Sequence, residues 1–303
     1  MNNRWAAALA LVLALAVPAA AYAAKPEPAA GQQMITMRLN GKIVIDPQGH
    51  VREYRIDTQA PKEVQELLGK AIPTWRFHPV EVDGKAVPAQ SPMRVVLTAV
   101  RHGEGYMLSI DNVLFRPNTE LEYAEELAAR DPDQIRFTVQ DMRPPAYPAD
   151  LMRAGIDGIV LLVLRLDAEG RVADAMVSQS SLFNAVGGGS ALDRARAQLE
   201  RSALAATAKW RFKVEALPAP TATASAYTVR IPIEYQVSTP DRSDVPLLGT
   251  WRHEYRGPAR PVPWLVGEQA AEVVGASDLA NGEMLSGAPT LRLLNRAQAL
   301  GAP

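Results

Sequence analysis

The side chains best suited to chemistry are thinly spread through these 303 residues. The four histidines, His50, His78, His102 and His253, are far apart in the chain. No two of them have the short spacing that lets imidazoles share a metal ion. There is no cysteine, which excludes a thiolate nucleophile, a Cys-based zinc site, a disulfide framework and an acylated N-terminal Cys. Asp46 and Asp167 each stand alone in a turn sequence, so they read as turn formers and not as the paired carboxylates of acid–base catalysis. Gly187-Gly188-Gly189-Ser190 looks like a phosphate loop, but the Gly-Lys-Ser/Thr that would hold phosphate and magnesium is missing. The glycine that should follow the serine of a nucleophile elbow is missing too, and the stretch reads as a flexible insertion. Trp75 and Trp210 could be ligand platforms. Each follows a helix and enters a turn beside an apolar strand, which is the position of a core indole needing one hydrogen-bond partner. Arg194, Arg196 and Arg201 with Glu200 read as a solvated helix face. No acid, base and nucleophile converge, so the chain reads as a non-enzyme with no metal and no cofactor.

The remaining signals are patterns of strand, turn and helix. Tyr227 to Val237 alternates, with Val229, Ile231, Ile233 and Tyr235 on one face and Thr228, Arg230, Glu234 and Gln236 on the other. The alternation reads as a β-strand with two distinct faces that closes the unit. Pro232 removes one donor from it, which an edge strand tolerates.

The elements that must hold this strand occur twice. Asp46-Pro47-Gln48-Gly49-His50-Val51 recurs as Asp167-Ala168-Glu169-Gly170-Arg171-Val172, and Thr74-Trp75-Arg76-Phe77 recurs as Lys209-Trp210-Arg211-Phe212. Both sets read as strand, turn, strand, helix, strand. In the second, Ile159 to Leu166 and Val172 to Ser178 flank the turn, where Gly170 supplies a positive φ. A helix from Leu192 to Lys209 presents Leu192, Ala195, Leu199, Ala203 and Ala206 on one face, and Tyr227 to Val237 closes the unit. In the first, Met37 to Ile45 and Val51 to Asp57 flank the turn. A short helix runs from Pro61 to Ile72, Asp83-Gly84 turns, and Met93 to Val100 closes. The second set is longer between its landmarks, and the extra residues are expected near Phe183 to Ala191. Only the second set is preceded by a helix, Ala149 to Ala154, opened by Tyr147-Pro148 and ended by Gly155. Tyr106 to Phe115 is expected as a strand, and Thr119 to Arg130 as a helix with a capping box at Thr119 and Glu122. The resulting boundaries are 34–100, a linker with strand and helix at 101–139, 140–239, and an extended, proline-rich tail at 240–303.

The N-terminus bears on location. Arg4, the apolar run Ala6 to Val17 and the small–x–small Ala21-Tyr22-Ala23 are the three parts of a secretory signal, so residues 1–23 read as a signal peptide. The alternative is a retained inner-membrane anchor, because Trp5 to Ala24 is apolar throughout. With a formal net charge of −1, nothing draws the chain to nucleic acid.

Arg143-Pro144-Pro145-Ala146-Tyr147-Pro148, Leu151, Gly155, Gly158, the Asp167-x-x-Gly170-x-Val172 turn, and Trp210-Arg211-Phe212 before a last apolar strand form an ordered set. From about Gln140 to Val237 this set resembles the C-terminal domain of TonB. The first set, about Met34 to Val100, resembles a truncated member without the Tyr-Pro helix. The resemblance implies an α+β fold of two modules, each a small antiparallel sheet packed on helices. It also implies a periplasmic protein that docks extended segments of outer-membrane receptors in TonB-dependent transport. Carried over to this sequence, the partner-binding positions are Gln140, Arg143, Tyr227, Val229, Arg230, Ile231, Ile233 and Tyr235. Tyr147, Pro148, Gly158, Gly170, Trp75 and Trp210 are structural. The implied partner is a protein: a receptor, another periplasmic protein or a second copy of the chain. The alternative is a structural or assembly protein whose two modules pair with each other or with a partner chain. The sequence departs from an energy-transducing member in two respects. Its anchor candidate has no histidine, and its spacer, Lys25 to Gln33, is too short to cross the periplasm.

Overall fold

The computed structural model describes residues 31–82, 84–116, 135–215, 227–237, 248–266, 274–279, 282–286 and 291–294. The expected signal peptide and the expected helix from Thr119 to Arg130 lie outside them. Gln32–Ile45 (β1) and Val51–Ile56 (β2) form the first hairpin, and Lys62–Ala71 (α1) follows. After a small hairpin of Val80–Val82 (β3) and Lys85–Val87 (β4), Ala89–His102 (β5) and Gly105–Phe115 (β6) form a long one. Next come Arg136–Asp141 (β7), the short helix Ala149–Arg153 (α2), and the hairpin Asp157–Leu166 (β8) and Val172–Phe183 (β9). Gly189–Thr207 (α3), Arg211–Glu215 (β10) and Thr228–Tyr235 (β11) complete that part. The stretch read as an extended tail adds Arg252–Arg256 (β12) and Leu285–Ser286 (β13).

The expectation of two separate small sheets needs correcting. Nine strands form one antiparallel sheet in the order β13-β11-β8-β9-β12-β1-β5-β6, with β2 also on β1. β12 joins the halves, pairing with Ser181–Phe183 of β9 on one side and with Gln32–Thr36 of β1 on the other. β1 is 14 residues long. Its second half pairs with β2, and its first half is left free for β12. Five residues with alternating charges, Arg252 to Arg256, carry no apolar signal of a central strand, so the sequence conceals this join.

The two hairpin–helix–strand sets share their local bonding. Asp46 and Asp167 each accept from the amide four residues on, at 2.9 and 2.8 Å. Phe77 donates its amide to the Gly49 carbonyl and Phe212 to that of Gly170, both at 2.9 Å. Gly49 and Gly170 have φ of 80° and 77°. A Cβ on either would lie 2.0 or 1.7 Å from the carbonyl oxygen of Phe77 or Phe212, so the turn needs glycine for space as well as for conformation. Trp75 and Trp210 are each 1% exposed, as core indoles should be, and Trp210 donates its ring N–H to the Arg143 carbonyl at 3.0 Å. The extra length of the second set is not a loop insertion. β9 has 12 residues where β2 has 6, and α3 has 19 where α1 has 10.

Three apolar clusters hold the layers. Val64 and Leu68 of α1 pack with Trp75, Phe77 and the inward residues of β1 and β5. Leu192, Ala195, Leu199 and Ala203 of α3 pack on Val160, Leu162 and Leu164 of β8 and on β11. Gly158 lets that helix approach, since a Cβ there would sit 2.5 Å from Leu199 Cδ1. On the other sheet face, Ile159 and Leu161 meet Leu114, Phe183 and the C-terminal residues Val274, Ala276, Leu279 and Leu285. β8 is thus buried on both sides, which explains its unbroken apolar run.

The second face is otherwise polar, and the sheet rolls around it. β1 lies four strands from β11, about 19 Å along a flat sheet at the usual strand spacing, yet Arg38 Nη1 is 3.5 Å from Glu234 Oε1. Likewise Arg256 of β12 reaches Asp111 of β6 at 2.5 Å. The solvated helix face expected at Arg194, Arg196, Arg201 and Glu200 is split. Arg194 and Arg201 are exposed, but Arg196 and Glu200 are buried. They pair with each other at 2.9 Å, and Arg260 closes over Glu200 at 2.9 Å. The chain after β12 runs against this side of α3, where Gly257 leaves room for the Arg196 guanidinium.

Candidate docking edge

β11 is built as an edge. On one side it pairs with β8 along its whole length, from Thr228↔Arg165 to Tyr235↔Gly158. On the other side, among the described residues, only Val229 and Arg230 pair, with Ser286 and Leu285 of β13. Among the described residues no strand lies beside Ile231 to Tyr235 on that side. Pro232 fits this arrangement, because a strand containing proline is poorly suited to a ladder on both sides.

The side chains of β11 are not free. Val229, Ile231, Ile233 and Tyr235 all lie in the core under α3. On the opposite face, Thr228 accepts the Trp264 ring N–H at 3.0 Å, Arg230 is buried and Glu234 pairs with Arg38. What β11 can offer outward is therefore backbone. Tyr227 lies just before it, half-buried, and its carbonyl accepts the Leu166 amide at 2.9 Å.

The Tyr-Pro helix supports the far end of β11. Pro148 caps α2, and Gly155 ends the helix with φ 65°. The Tyr147 hydroxyl donates to the Ile156 carbonyl, and its ring meets Tyr235 edge-on at 5.3 Å. Burial, opposed by a hydrogen bond with Ser202, pushes the Tyr235 hydroxyl above its ordinary range. Gln140 and Arg143 lie apart from β11. β7 pairs with β10 in a separate two-stranded ribbon, and its register shifts between Asp141 and Val139. Gln140 is thus the exposed bulge residue of β7. Arg143 is exposed just beyond it.

At the join, Glu254 accepts from Thr36 Oγ1 at 2.8 Å, Ser181 Oγ at 2.7 Å and Arg256 Nε at 2.8 Å. Burial alone would raise its pKa, but Arg256 and the two hydroxyls outweigh burial and hold it below the ordinary value. Asp278, fully buried nearby, is pushed up to about 6 by burial, despite hydrogen bonds from the Gly275 amide and Asn112. No group of three or more potential metal ligands occurs among the described residues. A largely apolar hollow of about 430 Å³ over β12 has Val64, Tyr106 and Trp251 in its wall, with Glu63 and His253 also lining it.

Residues 143–237 match the family model for the Gram-negative bacterial TonB protein C-terminal, so this stretch carries a TonB C-terminal domain. Two curated relatives, each named Protein TonB and from two strains of Xanthomonas campestris pv. campestris, are 31% identical over 104 residues. That is 34% of this chain and 40% of theirs, so the chain spans well under half the length of these relatives. The solution NMR structure of the Pseudomonas aeruginosa TonB CTD aligns at 23% identity over 35% of this chain and 89% of that one, with a TM-score of 0.23. The family model covers neither β1 to β7 nor β12 and β13.

β13 and the pairing of Glu234 with Arg38 are the parts of this edge that sequence reasoning missed. β13 is two residues long, too short for any periodicity to reveal. No helix among the described residues is long and apolar enough to cross a membrane.

Proposed function

We propose that the chain is a periplasmic docking protein. The strand β11 of its TonB C-terminal domain takes up an extended segment of an outer-membrane receptor by strand addition, in TonB-dependent transport. One observation carries the reading. β11 is fully paired on one side and open on the other from Ile231 to Tyr235 among the described residues. Its side chains are already buried, so recognition would use the ladder first and neighbouring side chains second. The shared bonding of the two turn sets supports reading β1, β2, α1 and β5 as a truncated second module. Its corresponding edge, on β5, is taken by β6, which leaves β11 as the docking edge.

The experiment is a titration of the exported chain with synthetic peptides from the N-terminal segments of outer-membrane receptors. Saturable binding is expected, and backbone N-methylation of the bound peptide should abolish it, because the ladder needs those N–H groups. If no peptide binds the folded protein, the reading fails.

One observation favours the alternative of a structural or assembly protein. β12 consumes the facing edges of β1 and β9 to fuse the halves, as internal pairing of modules requires. In that case peptides leave the chain untouched, and a co-purifying partner chain is the expected finding.

A further inference from the structure

The outer edge of β11 is already occupied at its beginning. Leu285 and Ser286 pair with Arg230 and Val229, so the chain performs strand addition on itself at the edge assigned above to a partner. On β5, by contrast, β6 pairs from Met93↔Phe115 to His102↔Gly105 through one hairpin. A long hairpin is part of the fold, whereas two residue pairs at the end of a strap can exchange at much smaller free energy.

The side chains show what the strap brings to the edge. Leu285 is 2% exposed and packs with Leu114, Ile159 and Leu161. Two residues earlier, Glu283 lies against Arg116 and is 3.7 Å from Arg94. Behind it, Asp278 and Ala276 anchor the strap to Asn112 and Gln179. A short extended segment is thus read twice, by an arginine pair for its acid and by an apolar pocket for its leucine.

We propose that Glu283 to Ser286 is a resident strand. It fills in cis the place of a partner strand on β11 and has to leave before a partner docks. The partner that replaces it is an extended segment with an acidic residue two positions before an aliphatic one. The inference rests on reading β11 as the docking edge. The geometry behind it is independent of which receptor supplies the strand.

The test uses the full chain and two release variants, Leu285→Asp and Glu283→Lys, which loosen the strap by different chemistry. The probes are a synthetic peptide with the sequence of residues 279–290, the same peptide with its glutamate changed to lysine, and the receptor peptides above. Hydrogen exchange along β11 reports whether the strap has left. Both variants are expected to exchange faster there and to bind the strap peptide at least tenfold more tightly than the parent. The lysine peptide should lose that gain. Unchanged exchange in both folded variants overturns the proposal, as does equal affinity of parent and variants for the strap peptide. If receptor peptides bind parent and variants alike, docking stands and the resident strand falls. If the strap peptide alone binds the variants, the resident strand stands and receptor docking falls.

Discussion

Glu254 accepts the hydroxyl hydrogen of Ser181 at 2.7 Å, and through this contact a strand from the C-terminal region is tied to the hairpin of the TonB C-terminal domain. The same carboxylate takes Thr36 of β1 on its other oxygen at 2.8 Å. Its side chain is fully enclosed, with Arg256 beside it. Removing the charge leaves Arg256 buried with only Asp111. Glu254→Gln is expected to cost about 3 kcal/mol, in the range for breaking a buried pair. Thr36→Val, which removes one hydrogen bond, should cost about 1 kcal/mol. Urea denaturation of both variants measures the difference. The carboxyl is held below its ordinary value in the fold, so its contribution is present above the unfolded pKa and is lost as pH falls through the folded one. The join should therefore weaken in acid, and Glu254→Gln should weaken less on acidification.

Asp278 predicts the opposite slope in a different pH window. Burial raises its folded pKa from 3.8 to about 6. The folded state then holds the proton more tightly than the unfolded state, so this group lets stability fall as pH rises from about 4 to about 6, with no further change above. At 1.36 kcal/mol per pKa unit, the loss is about 3 kcal/mol at most. Denaturation at pH 5 and pH 7.5 should show the parent less stable at the higher pH, and Asp278→Asn should flatten the difference. A parent curve flat across that range rules out the raised pKa.

The turns give a prediction with an internal control. Ala at Gly49 or Gly170 places a Cβ 2.0 or 1.7 Å from a backbone oxygen, a contact that no side-chain motion relieves. Each substitution should cost at least about 3 kcal/mol, the sum of a left-handed residue and backbone displacement. Gly84 also has positive φ, at 70°, but a Cβ there meets nothing within 4 Å. Gly84→Ala should therefore cost only about 1 kcal/mol. Thermal melts of the three variants separate the effect of space from that of conformation.

Legibility in the sequence followed local information. The turn at Asp167–Gly170, the apolar face of α3 and the alternation of β11 are set by neighbours a few residues away, and the structure has them within a few residues of expectation. Trp210 was readable as core because a helix and a strand flank it. The join was not. Arg252 to Arg256 fell within the stretch read as an extended tail, and only the rolled, polar sheet face makes their charges compatible with a central strand. Arg196 and Glu200 misled for the same reason. Their solvation is removed by Gly257 and Arg260, some sixty residues away, and no periodicity in α3 reports that contact.

Two arginines of β12 that look alike in sequence should differ on substitution. Arg256 bonds Glu254 at 2.8 Å and Asp111 at 2.5 Å. Arg252 lies 3.9 Å over the Phe183 ring, with Arg38 beside the same ring, and its Nη1 is buried without a hydrogen-bond partner. Burial, reinforced by Arg38, pulls its pKa down to about 10. A buried charge lacking full compensation can be replaced by an apolar side chain of similar length with little loss, or with a gain. Arg252→Met should lie within about 1 kcal/mol of the parent or above it, since the ring contact it gives up is worth a similar amount. Arg256→Met leaves the buried Glu254 carboxylate without its cation and the part-buried Asp111 without its partner, and should cost about 3 kcal/mol or more. Equal destabilisation of the two variants in urea would mean that Arg252 binds a group outside the contacts described, and would redirect attention to the polar face enclosed by the sheet.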